Sequence, residues 1–297
     1  MSAAILRVLR IPATISIVAV VLLAGVPYAM SLYGPYLVRP GIRCIRVGAA
    51  VPAGGPYPPG MCQDLAALYH RTFADLFVES MFRSLALLVG AAVLALVVGA
   101  LLGLAAGLLR RRAWTAGAIV GATTVLSAVP AFFVAYFLQI AVIIIGATAE
   151  GGNLLPVVGF GYDSHLVLPL LAISVPAIAY TAQLTATRAA EVLEADFITA
   201  ALARGLSSSW ILRVHVLPHV RPVTLEALGS GLRVSVASLP IVEYLFQWRG
   251  IGQLALEAVG VHDAATLIFS ALVLVTLFAT LSAVADLSRP RALYRAT

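Results

Sequence analysis

The sequence contains no lysine and few charged residues of any kind. Charged residues make up 11% of the 297 residues, hydrophobic residues make up 61%, and all 19 basic residues are arginine. An ordinary soluble domain has a charged fraction of roughly 25%, so that class is excluded and a multi-pass membrane protein is favoured. Without a lysine the chain has no Walker A nucleotide-binding loop and no Schiff-base chemistry, so it is not its own P-loop ATPase.

Residues that carry catalysis or bind metals are also sparse. Of the five histidines, only His215 and His219 are spaced four apart, as on one face of a helix, and no cysteine or carboxylate joins them at metal-ligand spacing. No nucleophile stands beside a base in a recognisable motif. We therefore expect no catalytic residue, cofactor or metal in this chain, and no enzymatic activity of its own.

Long apolar runs separated by polar intervals predict six membrane-spanning helices, because each run can cross a hydrocarbon core of about 30 Å. The first run exceeds the apolar core of a signal peptide, so an uncleaved helix is favoured over a cleaved signal. A kink is expected at Pro130. The predicted spans are 11–33, 82–109, some part of 114–145, 166–184, 224–246 and 266–287. The whole chain, 1–297, is predicted to form one transmembrane domain, with a long loop at 34–80 and a five-helix core at 82–290.

The arginines indicate how these spans are oriented. An even number of spans places both termini on one side, and loops rich in basic residues are typically cytoplasmic. Twelve of the 19 arginines fall on the side of the termini, which predicts cytoplasmic termini in a bacterial inner membrane. These twelve are Arg7, Arg10, Arg110, Arg111, Arg112, Arg188, Arg204, Arg213, Arg221, Arg289, Arg291 and Arg295.

One polar stretch, residues 191–222, interrupts the apolar sequence on the predicted cytoplasmic side. Within it, Asp196 is expected to cap a short helix, and Gly205 to end it in the left-handed conformation that glycine adopts most cheaply. The helix would have about two turns and a length of roughly 12 Å. Three small residues, Ala200, Ala201 and Ala203, would let another protein approach its backbone. The pattern predicts a docking site.

The same stretch resembles the cytoplasmic EAA loop of ABC-importer permeases. The resemblance is carried by EADFITAALARGL at 194–206 and by RVHVLP at 213–218. A second stretch, VEYLFQWRGIGQL at 242–254, is similar to the signature of the B-type permease of the dipeptide, oligopeptide and nickel subclass. The chain departs from the common pattern at Thr199, where glutamate is usual, and at Arg249, where proline is common.

The resemblance implies a type I ABC-importer permease that takes up peptides or a related solute, such as a nickel complex. Its implied partners are a C-type permease, ABC ATPase subunits that bind ATP and magnesium, an extracytoplasmic solute-binding protein and membrane lipid, without nucleic acid. The residues expected to couple to the ATPase are Glu194, Asp196, Phe197, Ala200, Ala201, Arg204, Gly205, Leu206 and His215. The alternative is a stand-alone ion-coupled transporter, which is disfavoured because the acids plausibly within spans are only Glu226 and Glu243.

Two ionisable residues in the fifth predicted span are candidates for the translocation path. A charge within a span is costly and usually faces a cavity or a partner. Arg233 either lines the path and attracts a peptide carboxylate, or forms a structural pair with Glu226 about two turns earlier or with the partner subunit. Glu243 is either a gate residue or a hydrogen-bonded glutamate that caps the turn at Trp248. Gly250 is expected to supply backbone freedom to the outer loop, as is Gly252.

The two cysteines, Cys44 and Cys62, both fall in the loop at 34–80. The predicted orientation places this loop outside the cytoplasm, where disulfides persist. Unpaired thiols remain the alternative, because cysteines in membrane proteins are often small apolar fillers. We expect a Cys44–Cys62 disulfide.

Overall fold

The computed structural model describes residues 69, 73–110, 112–148, 155–261 and 263–288, and within these ranges the chain is helical with no β-strand. The helices are α1 (Phe73–Leu94), α2 (Ala100–Leu108), α3 (Ala113–Ala128), α4 (Ala131–Thr148), α5 (Val167–Glu194), α6 (Asp196–Ala203), α7 (Ser208–Ile211), α8 (Leu217–Phe246), α9 (Ile251–Val261) and α10 (Ala264–Ser288). Two π-helical turns, Ala95–Gly99 and Leu212–Val216, join α1 to α2 and α7 to α8. A 3-10 turn, Ser164–Leu166, leads into α5.

Five helical segments of the described chain are long and apolar enough to cross a membrane. They are Ala74–Leu108, Ala131–Thr148, Ser164–Glu194, Ser208–Phe246 and Thr266–Ala283. The first predicted span, 11–33, lies outside the described residues, as do Cys44 and Cys62. The count of six spans, the orientation of the termini and the disulfide therefore stay predictions.

The third predicted span differs from the expectation of one kinked helix. Helix α3 ends at Ala128, Val129 is extended with a ψ of 121°, and α4 begins after Pro130. A proline ring clashes with a helical residue before it, which pushes that residue into extended conformation. The 114–145 run is therefore two helices, and α4 is the one long enough to span.

The long helices α5 and α8 pack against each other along the centre of the bundle. Gly231 permits their close approach, because a Cβ there would lie 2.5 Å from the Cα of Ala177. The Ser235 hydroxyl donates to the Ile173 carbonyl oxygen at 2.7 Å, and the hydroxyls of Thr185 and Thr224 lie 2.9 Å apart. Polar pairs of this kind hold spanning helices together where the hydrophobic effect gives no preference.

The rod formed by α1 and α2 lies along α5 through a row of glycines. A Cβ at Gly103 would lie 2.5 Å from the Ala182 carbonyl oxygen, and one at Gly107 would lie 2.6 Å from the Ala189 Cβ. Gly90 and Gly99 are equally close to α5. Small residues at a helix interface let the backbones approach and gain packing contacts. These four glycines therefore let the rod pack closely against α5.

Helices α5 and α8 both extend well past the predicted spans into the polar stretch. Helix α5 continues to Glu194, and α8 begins at Leu217 directly after α7 and its π turn. Apolar composition marks only the part of a helix that lies in lipid, whereas alanine, arginine, leucine and glutamate continue it in water. The polar stretch is thus mostly helical, with α6 held between two long helices.

Candidate functional site

The N-cap of the short helix α6 is one residue earlier than the sequence indicates. The N-cap is Ala195, which has an extended ψ of 145°, and its side chain offers no hydrogen bond. Asp196 is the first helical residue and does not act as the cap. The prediction of Asp196 as N-cap is therefore wrong. Its carboxylate still lies in the first helical turn, where a negative charge interacts favourably with the helix dipole.

The C-terminus of α6 is built as predicted. Gly205 has a φ of +76°, the left-handed conformation. Its N–H donates to the Leu202 carbonyl oxygen at 2.9 Å, and the Leu206 N–H donates to the Ala201 carbonyl oxygen at 3.3 Å. These two bonds form a Schellman motif, which satisfies the last carbonyls of the helix. The Leu206 side chain then packs onto the cluster beneath α6.

Helix α6 has one buried and one exposed face. Ile198 and Ala201 are buried in a cluster with residues from α5, α7 and α8. Ala201 is only 4% exposed, so its small side chain serves packing within this chain. The expectation that Ala201 offers an open approach to another protein is therefore wrong. The exposed face contains Asp196, Phe197, Thr199, Ala200, Leu202, Ala203, Arg204 and Gly205.

Phe197 is the aromatic side chain of that exposed face, and it is 42% exposed. Its ring stacks on the His219 ring, with centroids 5.5 Å apart and planes at 29°, and lies 6.3 Å from the His215 ring. The Nδ1–H of His219 donates to the His215 carbonyl oxygen at 2.7 Å, because a carbonyl can only accept. The coupling residues expected from the sequence include His215 but not His219. Its spacing from His215 was the available signal.

A contact from the other side fixes the entry to α6. The Arg110 guanidinium donates to the Leu193 carbonyl oxygen at 3.1 Å and lies 3.5 Å from the Glu194 carboxylate. The Glu194 side chain is 72% exposed, so the ion pair itself contributes little and the carbonyl contact matters more. Arg110, the first of three consecutive arginines after α2, thus connects the end of α2 to the residues just before α6.

Glu243 is fully buried near the C-terminal end of α8, with 0% exposure. Its Oε1 accepts from the Ser84 hydroxyl at 2.5 Å, and its Oε2 accepts from the backbone N–H groups of Gly252 at 2.8 Å and Gln253 at 3.1 Å. The Ser84 hydroxyl oxygen in turn accepts from the Ile251 N–H at 2.8 Å. The carboxylate therefore caps the N-terminus of α9 from a neighbouring helix.

The Glu243 side chain is hydrogen-bonded, as the structural alternative expects, but it caps the start of α9 and not the turn at Trp248, whose N–H donates to the Glu243 backbone carbonyl oxygen at 2.9 Å. Gly250 and Gly252 serve its close approach. A Cβ at Gly250 would overlap the Glu243 carboxylate, and one at Gly252 would lie 2.5 Å from the Pro240 Cα. Among the described glycines, positive φ occurs at Gly159 and Gly205. The expected backbone freedom at Gly250 and Gly252 is therefore wrong.

Arg233 is half-buried in the middle of α8. Its guanidinium donates to the Ser230 hydroxyl at 2.8 Å, one turn earlier on the same helix. Sequence reasoning named Glu226, the partner subunit and the solute as the possible partners and missed this serine. A neutral hydroxyl does not balance the charge of a guanidinium within a span, and such a charge usually faces a cavity or a partner.

A second polar site lies at the C-terminal end of α8, around the turn that joins it to α9. Glu257 accepts from the Tyr69 hydroxyl and from the Gln253 side-chain amide, each at 2.7 Å. The Gln253 Oε1 accepts from the Arg249 N–H at 2.6 Å. Arg249 has a φ of +56°, so a proline, whose φ is locked near −65°, does not fit this turn.

The turn is closed on its inner side by aromatic rings. Trp248 is fully buried, and its indole N–H donates to the Arg83 carbonyl oxygen at 3.1 Å. Phe160 and Tyr162 meet it edge to face, with centroids 4.9 and 5.9 Å away. The Arg83 guanidinium lies 4.0 Å from the Phe160 ring centre and forms an ion pair with Glu79. Its charge is thus already matched within the chain.

Known proteins resemble this chain over most of its described part. Residues 95–292 match the family of binding-protein-dependent transport system inner membrane components. The chain belongs to this family. It is therefore a membrane-spanning transport component, in agreement with the five spanning segments and with the resemblance drawn from the EAA stretch.

Relatives within this transport family carry names that concern different solutes. The peptide transport system permease protein SapB of Salmonella typhimurium is 30% identical over 123 residues, 41% of this chain and 38% of that protein. The metal-staphylopine import system permease protein CntB of Staphylococcus aureus is 25% identical over 214 residues, 72% of this chain and 66% of that protein. The chain thus matches less than two thirds of the length of each.

A solved structure supports the fold. The crystal structure of an amino acid ABC transporter with histidines aligns with a TM-score of 0.51, over 76% of this chain and 98% of the other, at 19% identity. At this level of identity the likeness concerns the arrangement of helices alone. The bundle of α1 to α10 is therefore an ABC-transporter permease fold.

Proposed function

We propose that this chain is the permease subunit of an ATP-driven importer that takes up peptides, or a related solute, delivered by an extracytoplasmic binding protein. The observation that carries the proposal is α6, a two-turn helix with one face sealed into the bundle and the other exposed. The family and the peptide-permease names of relatives support it. This chain is the conduit, and the hydrolysis of ATP belongs to its partners.

The exposed face of α6 is the surface to which the ATPase docks. Phe197 stacks on His219 and lies beside His215, and Leu202 lies on the same exposed face. A central aromatic side chain beside small residues suits a pocket on a partner. Of the expected coupling residues, Ala200, Arg204 and Gly205 belong to this surface, Leu206 and Ala201 seat it, and His215 backs Phe197.

Movement of α6 passes to the membrane through its buried face. Ile198 and Ala201 contact a cluster that includes Val192 at the end of α5 and Val216 before α8. These two helices are joined further along by the Ser235 and Thr185 hydrogen bonds. Because a packed cluster transmits a push instead of absorbing it, closure of the ATPases shifts α5 and α8 together.

The remaining partners follow from the same proposal. A C-type permease encloses the path with this chain, each permease receives one ATPase that holds ATP and magnesium, and lipid surrounds both in a bacterial inner membrane. The termini and α6 face the cytoplasm, in keeping with the arginine distribution. Arg233, half-buried and bonded only to a neutral hydroxyl among its described partners, lines the path or meets the second permease.

Reconstitution in proteoliposomes tests the function. The complete complex, supplied with its binding protein, is expected to accumulate labelled peptide only when ATP is present. Phe197→Ala should abolish uptake without loss of membrane insertion. The control is Phe137→Ala, which removes an exposed ring (62%) from the spanning helix α4 and should leave ATPase coupling intact. Uptake by this chain alone, driven by an ion gradient, would instead establish the stand-alone transporter.

A further inference from the structure

The turn between α8 and α9 lines two adjoining cavities of about 250 and 440 Å³. Four residues border both: Tyr69, Arg249, Gln253 and Glu257. Pockets for small molecules typically have volumes of roughly 300–1,000 Å³, so the two cavities together have the size of a solute site. We refer to them as the outer cleft. It lies at the end of α8 opposite the docking surface of α6.

The acidic side of the outer cleft is a pre-formed acceptor. The Glu257 carboxylate receives one hydrogen bond on each oxygen, from the Tyr69 hydroxyl and from the Gln253 amide. Burial, reinforced by Glu257, raises the pKa of Tyr69 to about 12, so the phenol keeps its proton and remains a donor. Both donors are neutral. An ionised carboxylate has about four acceptor positions, which leaves room here for a cation.

The orientation of Gln253 links the acidic side to the basic side. Its Oε1 accepts from the Arg249 N–H, which fixes its amide nitrogen toward Glu257. Arg249 is held by its backbone, since its carbonyl oxygen also accepts from the Arg83 guanidinium at 3.4 Å. Its φ of +56° is a conformation that non-glycine residues adopt at a cost, and such strain is concentrated at functional sites. Among the described residues, none forms a hydrogen bond or ion pair with the Arg249 guanidinium, so this group is available to a ligand.

The combination of charges selects the class of ligand. A plain anion would be repelled by Glu257 and a plain cation by Arg249, whereas a molecule with both charges satisfies each. Arg83, the other arginine of the cleft, is already paired with Glu79. We propose that the outer cleft binds a zwitterionic solute, with its carboxylate at the Arg249 guanidinium and its ammonium group at the Glu257 carboxylate.

The free termini of a short peptide carry this pair of charges, so the cleft gives the permease its own selectivity after release from the binding protein. This inference rests on the proposed function. The apolar walls formed by Leu76 and Leu254 in one cavity, and by Tyr244 and Leu245 in the other, accept side chains of varied shape. Charge at the termini with tolerant walls suits a carrier of many peptides.

Saturation-transfer NMR tests the cleft, because it detects weak binding to the complete complex in nanodiscs. The probe is trialanine, compared with its N-acetylated and C-amidated forms. Arg249→Gln should weaken trialanine binding about tenfold, the effect of losing one charge-assisted hydrogen-bonded contact. The same substitution should not weaken binding of the C-amidated peptide, because that peptide lacks the carboxylate that Arg249 contacts. Arg249→Lys should retain most of the binding.

Arg112→Gln is the matched control, since Arg112 is exposed at the start of α3 and takes no part in the cleft. Equal binding of trialanine to wild type and Arg249→Gln overturns the cleft, as does an equal loss for all three peptides. Peptide uptake in proteoliposomes is measured beside it. Uptake with Arg249-independent binding refutes the cleft and keeps the proposed function, while Arg249-dependent binding without ATP-driven uptake refutes the proposed function.

Discussion

Replacing Glu243 with glutamine should loosen the attachment of α9 to the bundle. The carboxylate offers two acceptor oxygens to three donors, on Ser84, Gly252 and Gln253. A glutamine of the same shape has only one acceptor oxygen. If that oxygen takes the two backbone N–H groups, its amide nitrogen faces Ser84, whose hydroxyl proton then loses its acceptor. The opposite orientation sets the amide against both backbone donors and is worse.

The expected cost follows from the hydrogen bonds changed. One buried donor left without an acceptor costs about 1–3 kcal/mol. For a chain of 297 residues that corresponds to a decrease in Tm of about 2–5 °C. Ser84→Ala should cost a similar amount, because it removes the donor to Glu243 and the acceptor of the Ile251 N–H together. The two substitutions share contacts, so their effects should be non-additive by more than 0.5 kcal/mol or so.

Thermal unfolding of the purified protein, followed by tryptophan fluorescence, measures this change. Hydrogen exchange with mass spectrometry then locates it, and faster exchange should be confined to the first turn of α9. Glu191→Gln is the control, because this glutamate is exposed and paired only with Arg188 at the surface, where such pairs contribute little. Equal Tm values for Glu243→Gln and Glu191→Gln would refute the capping role of Glu243.

Three further predictions concern other parts of the chain. Gly205→Val should abolish transport while leaving membrane insertion intact, because a β-branched residue does not tolerate the φ of +76°; normal ATPase association in this variant would argue against α6 as the docking helix. Gly103→Ala should destabilise the bundle by about 1–3 kcal/mol, because its Cβ would lie 2.5 Å from the Ala182 carbonyl oxygen, whereas Gly117→Ala, with nothing within 4 Å, should not; equal thermal stabilities would count against the glycine interface. Cys44 and Cys62 should form a disulfide that contributes roughly 3 kcal/mol; labelling of both thiols without reductant, seen by mass spectrometry, would show that it is absent.

Features that depend on neighbouring residues in the sequence were predictable. The glycine row of α1 and α2 and the left-handed end of α6 at Gly205 both appear in the structure. Both follow from local rules, since a row of small residues marks a helix interface and glycine ends a helix. The start of α6 was predicted wrongly, because the preference for aspartate at an N-cap is only a tendency, and the neighbouring Ala195 occupies that position.

Features that depend on contacts between distant residues could not be predicted from the sequence. Glu243 lies 159 positions from Ser84, and the Tyr69 hydroxyl lies 188 positions from Glu257. No spacing rule connects such residues, so neither the capping of α9 nor the outer cleft could be derived from the sequence. The burial of Ala201 was not predicted for a related reason. Alanine is accepted on either face of a short helix, and the neighbours in α7 and α8 decide which face is buried.

The docking of an ATPase on the exposed face of α6 is the central claim, and site-specific photocrosslinking tests it most directly. A photoreactive amino acid replaces Leu202, which is 53% exposed on that face, or Phe137 on the spanning helix α4 as the control. Irradiation of the intact complex should join the ATPase subunit to this chain from position 202 and not from position 137. An assembled, ATP-hydrolysing complex that gives no ATPase crosslink from position 202 would contradict the account.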